Sequence, residues 1–167
     1  EATRGLKAAV GDEAPLLGVV MSPFSLPVMQ MGFEGYLDLI YDRPELLERL
    51  LRANEDFCVE WANAQLAAGA TAICYFDPVS SPTILPPELF RRYGLPAARR
   101  TIGRFKGPAA VHLASGRCLP IVDDVASSGS LAIGVSASED LGAIKRACSG
   151  KIAVVGNLNA LEMRRWT

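Results

Sequence analysis

Neither charge sign dominates this chain: 17 Lys and Arg stand against 18 Asp and Glu, for a net charge of −1. There is no electrostatic case for nucleic acid or an anionic membrane surface as a partner. No apolar stretch approaches the ~20 residues of a membrane span, and no signal peptide is visible. The four cysteines, Cys58, Cys74, Cys118 and Cys148, are irregularly spaced and include no CxxC pair. That pattern reads as reduced, mostly buried thiols of a cytosolic protein. No GxGxxG follows an apolar run, which weakens a dinucleotide-binding role. Histidine occurs once, at position 112.

Half of the 167 residues are hydrophobic and 21% are charged, a composition that can bury a core. The length is about that of one domain. The chain opens on Glu1 in a helical pattern, Ala2 to Val10, and stops at Thr167 shortly after an apolar run. It reads as a single unit, 1–167, cut from something longer.

Five apolar runs have the length of strands: Pro15 to Met21, Ala70 to Phe76, Pro108 to Leu113, Ser130 to Val135 and Ile152 to Val155. They lack in/out alternation, as strands covered on both faces do. Helical patterns lie between them. Asp42-Arg43-Pro44-Glu45 is a helix start with Asp42 as cap candidate; that helix runs to Ala68, with Leu46, Leu47, Leu50, Leu51, Phe57, Cys58 and Trp61 on a broad apolar face and Gly69 closing it. Phe24 to Gly35, broken by Pro27 and Gly32, reads as a loop with a short helix. A helix from Pro86-Pro87-Glu88 reads as interrupted at Pro96 and continuing to Phe105. Leu119 to Ser127 and Asp140 to Cys148 complete the set, with Asp123-Asp124 on a helix face and Glu139-Asp140 at a helix start.

Alternating runs and helices joined by short linkers give βα units and a parallel sheet. Five strands cannot close a barrel of eight, so the fold expected is α/β, the later part of a (β/α)8 barrel; a doubly wound sheet is the alternative. In such a barrel the C-terminal ends of the strands open onto one face, where active sites form. Asp77, His112 and Asn157 each end or directly follow a strand and are expected to converge there, with Asp77 oriented on a ligand or on His112, or else capping its own loop.

Several segments, in order, carry a resemblance: Gly18-Val19-Val20-Met21-Ser22-Pro23-Phe24-Ser25-Leu26, Asp42 to Leu47, Ala67 to Ile73, Leu85-Pro86-Pro87-Glu88-Leu89-Phe90, Leu95-Pro96 and Gly156-Asn157-Leu158. Together they resemble the uroporphyrinogen decarboxylase superfamily, which includes the corrinoid-linked methyltransferases of the methylcobalamin:coenzyme M type. The resemblance covers nearly the whole chain, but about the C-terminal half of such a protein. Where the decarboxylases carry a tyrosine and a serine, this chain has Met29 and Pro78. The methyltransferase branch is the better match, through Asp77-Pro78-Val79-Ser80-Ser81 and the histidine ending the next strand.

That branch implies zinc held by a His-x-Cys pair and a later cysteine, activating a thiol as thiolate to attack a cobalt-bound methyl group. His112 fits the histidine and is the expected metal ligand, but the cysteine position is Ala114 and the later cysteine would lie beyond Thr167. Cys118 is a possible substitute ligand. Asp77 is the expected catalytic residue. Asn157, Phe24 and Met29 are expected to bind a corrinoid or tetrapyrrole, Phe24 and Met29 within a soft apolar wall with Met21, Met31 and Phe33; ordinary core packing is the alternative for that wall, and turn formation for Asn157 and Asn159. The expected partners are that small molecule, a corrinoid protein, and a second copy or the missing half-barrel. The activity implied is methyl transfer, with tetrapyrrole decarboxylation and a non-catalytic binding subunit as alternatives.

Overall fold

The computed structural model describes residues 1–166. Helix α1 (Ala2–Val10) precedes β1 (Leu17–Met21), and α2 (Leu26–Asp42) and α3 (Pro44–Ala67) lead to β2 (Ala72–Phe76). The short α4 (Pro87–Leu89) runs through a π-turn at Phe90–Gly94 into α5 (Leu95–Ile102), which precedes β3 (Ala109–His112). Then come α6 (Val122–Ala126), β4 (Ala132–Gly134), α7 (Leu141–Ala147), β5 (Ala153–Val155) and α8 (Ala160–Met163). All five sequence-read strands are present. They form one sheet in the order β1-β2-β3-β4-β5, every neighbouring pair parallel. Strictly sequential order is that of a (β/α)8 barrel and excludes a doubly wound sheet, whose order reverses at a switch point.

Right-handed crossovers between sequential parallel strands place the helices they contain, α2 to α7, on the same face of the sheet. Against that face pack Val20, Ile73, Tyr75, Val111 and Ile133, all buried. The residues between them point to the opposite face, where Leu17, Val19 and Val155 are exposed. Burial therefore alternates along the strands, although both faces are apolar in sequence. The uncovered face is the one that a complete barrel fills with side chains from all its strands. No helix of the described residues is long and apolar enough to cross a membrane.

Several local readings need correction. Asp42 is the last residue of α2, and the N-cap of α3 is Arg43, without a side-chain cap. Leu47, Leu51 and Cys58 are buried on α3, but Leu46, Phe57 and Trp61 are exposed. The segment from Phe24 to Gly35, read as a loop with a short helix, lies largely in the longer helix α2, kinked where Gly32 takes φ 79°. Pro96 does not interrupt its helix. It lacks the N–H that would close a turn on the Arg92 carbonyl; the chain widens one residue earlier, where the Leu95 N–H donates to the Phe90 carbonyl. Pro96 then sits in the first turn of α5, where no donor is required.

Candidate functional site

Strand register sets the rim of the site. Met21, Phe76, His112, Gly134 and Val155 are successive partners across the five strands, the last row before the loops. His112 lies in its middle. Its imidazole stacks on Phe76 with ring centroids 5.8 Å apart. On the other side it lies against Gly134, where a Cβ would come within 2.5 Å of His112 Cδ2. A glycine inside a strand often marks such a close approach, the signal by which Gly134 could have been picked out from sequence. His112 Nδ1 accepts a hydrogen bond from the Ala114 N–H at 3.0 Å. The neutral ring therefore carries its proton on Nε2, which acts as a donor.

Past the rim, the loops after β3, β4 and β5 surround an open cavity of about 640 Å³, bordered by Ala114, Ser115, Ser136, Ser138, Leu158 and Asn159 among others. Ala114 has φ 55°, a left-handed conformation that disfavours a Cβ. Ala114→Gly is accordingly expected to raise stability by up to about 1 kcal/mol, read as a higher midpoint in urea unfolding.

Asp77 sits at the same end of the sheet but is buried. Oδ1 accepts from Ser22 Oγ and Ser25 Oγ, each at 2.6 Å, and Oδ2 accepts from Ser80 Oγ at 2.5 Å. Burial pushes its pKa up, opposed by those three hydroxyls. It meets His112 through the main chain, its N–H donating to the His112 carbonyl at 2.8 Å. The carboxylate thus forms no hydrogen bond to the imidazole; it fastens the loop after β1 to the loop after β2.

Comparable ties continue around the mouth. Ser81 Oγ donates to the Arg117 carbonyl at 2.8 Å. The Glu139 carboxylate accepts from the backbone N–H groups of Cys118 and Leu119, and Asn157 Nδ2 donates to the carbonyls of Ser136 and Glu139 at 3.0 and 2.7 Å. Asn157 therefore secures the loop after β4 from the loop after β5. Asn159, beside it, caps α8 through the N–H groups of Leu161 and Glu162. Glu139 reads in sequence as part of a helix start; its partners here are main-chain groups 20 and 21 residues earlier, which no local pattern signals.

Phe24 and Met29, expected in one apolar wall, do not share a surface. Phe24 is fully buried against Tyr36, ring centroids 6.0 Å apart, and its carbonyl accepts from Tyr36 Oη. Met29 is 74% exposed on α2 and borders no part of the mouth cavity. Cys118 is buried, and burial first, then Glu139, pushes its thiol up to about 12.

The chain aligns over residues 1–164 with the uroporphyrinogen decarboxylase (URO-D) family. It belongs to that family. Curated relatives include a uroporphyrinogen decarboxylase of Bordetella pertussis, 27% identical over 98% of this chain and 48% of the relative. A methylcobamide:CoM methyltransferase of Methanosarcina barkeri is 24% identical over 96% of this chain and 47% of the relative. Among solved structures, a methyltransferase from Methanosarcina mazei superposes with a TM-score of 0.89 at 23% identity, over 94% of this chain and 47% of that one. The chain thus spans about half the length of its relatives and has the fold of part of a family barrel, and both activities occur among its kin.

Zinc, as the methyltransferase resemblance implies it, needs at least three donors in reach of one ion. Among the described residues no three His, Cys, Asp or Glu side chains are so grouped. A zinc bound at Nε2 of a neutral His112 would require the proton on Nδ1, where the Ala114 N–H already points. The described residues do not fit the ion.

Proposed function

We propose that the protein containing this chain transfers a methyl group from a methylated corrinoid to a thiol, at the end of the sheet where His112 lies. The observation that carries this reading is the placement of His112: an imidazole at the end of a central strand, clamped between Phe76 and Gly134, with the Ala114 N–H on Nδ1 leaving Nε2 as the donor of the neutral ring. Methyl transfer requires a sulfur anion that attacks the methyl carbon while the cobalt–carbon bonding pair stays with cobalt. An Nε2–H aimed at that sulfur favours its anionic form by a charge-assisted hydrogen bond. The cavity of about 640 Å³ beside it is large enough for a small thiol and one edge of the donor. The methyl donor is free or carried on a corrinoid protein.

Tetrapyrrole decarboxylation is the second reading, favoured by the decarboxylases among the relatives, such as that of Bordetella pertussis. The same Nε2–H would there hold a substrate carboxylate. The test is a methylcobalamin demethylation assay on the full-length protein with several thiols, run beside a uroporphyrinogen decarboxylation assay. Thiol-dependent loss of the methyl–cobalt absorbance supports methyl transfer; decarboxylation without demethylation replaces it with the second reading.

A further inference from the structure

A second cavity, of about 240 Å³, lies in the helical layer between the N-terminal half of α3 and the π-turn that enters α5. Glu48, Arg52, Arg92, Tyr93 and Arg100 line it, and it shares no residue with the mouth cavity. Three guanidiniums face it. Two of them share one buried carboxylate: Glu55 accepts from Arg100 Nε at 3.0 Å and lies 3.4 Å from Arg52. Arg92 differs. Among the described residues no carboxylate lies within 4.0 Å of it, and its guanidinium rests on the Tyr93 ring, 4.9 Å from the centroid.

We propose that this cavity binds the phosphate group of a small molecule, with Arg92 as the principal ligand and Arg52 and Arg100 at its flanks. A guanidinium offers a planar fork of donors matched to two oxygens of an oxyanion, and three of them around one cavity suit a group with several equivalent oxygens. Glu55 holds Arg100 rigidly, so that little ordering is needed when the anion arrives. The volume exceeds that of phosphate itself and leaves room for a short organic portion.

The test uses the full-length protein, with inorganic phosphate and glycerol 3-phosphate titrated calorimetrically against chloride at matched ionic strength. Saturable binding of either phosphate, weakened at least 10-fold by Arg92→Ala and by less in Arg92→Lys, supports the site; tighter binding of the ester shows that the organic portion is recognised. Arg92 is exposed, and circular dichroism confirms that the variants fold. Arg165→Ala, in a groove at the C-terminal helix, controls for general charge. Binding no different from chloride, unchanged in Arg92→Ala, or weakened equally by Arg165→Ala overturns the proposal.

Discussion

Asp77→Ala is expected to destabilise the fold by about 3 kcal/mol or more, because three buried hydroxyls lose their acceptor at once and an unsatisfied buried donor costs about 1–3 kcal/mol. The three do not share a loop: Ser22 and Ser25 follow β1, and Ser80 follows Asp77. Losing the carboxylate therefore frees two loops from each other. Asp77→Asn keeps the shape and one acceptor oxygen and is expected to cost about half as much. Its pH dependence separates charge from shape. Burial raises the Asp77 pKa in the folded protein above its ordinary value of 3.8. The folded state therefore favours the protonated acid, and that contribution is fully present below 3.8 and lost as pH rises through the folded value. Asparagine has no such dependence. The stability gap between the wild type and Asp77→Asn should be widest in acid and narrow toward neutral pH, as read by urea unfolding at about pH 4 and pH 7.5. A gap that widens with pH would mean that the hydroxyls outweigh burial and favour the charged form.

Gly134→Ala is expected to lower activity sharply. Its Cβ would fall 2.5 Å from His112 Cδ2, and the stack on Phe76 closes the other side. The ring must rotate out of the clamp, losing the hydrogen bond from Ala114. A displacement of about 1 Å in a reacting group can cost on the order of 100-fold in rate, and overpacking of this kind costs about 1–3 kcal/mol in stability. Because His112 is the chain's one histidine, its imidazole ¹⁵N resonances can be assigned without ambiguity in this chain; they should report the Nε2–H tautomer in the wild type and change in Gly134→Ala. A Gly134→Ala protein with wild-type turnover and an unmoved imidazole would show that the clamp has no part in function.

The sheet was legible in the sequence because strand-length apolar runs separated by helical patterns leave few arrangements. All five strands fall within the runs read from sequence, and their order follows from βα alternation. His112 was legible as a strand-end residue for the same reason. What those patterns do not encode is the partner of each side chain. Asp77 reads as a site residue because it follows a strand at its C-terminal end; its serines lie 52 and 55 residues earlier as well as three later, and their convergence is a tertiary fact. Phe24 and Met29 share one apolar segment, and nothing in its composition says that one packs on Tyr36 while the other faces outward. The π-turn before Pro96 is a local answer to a missing donor, and proline alone signals a break as readily as a widening.

The most direct measurement is the turnover of His112→Ala in the full-length protein, in whichever of the two assays the wild type is active, beside its thermal midpoint. His112 is partly exposed and makes one side-chain hydrogen bond, so the fold should survive the change. A fall in kcat/KM of about 100-fold or more, with the midpoint little changed, is what a charge-stabilising donor at the reacting atoms predicts. Unchanged kcat/KM in a folded His112→Ala protein would contradict the claim that the chemistry is centred on this imidazole.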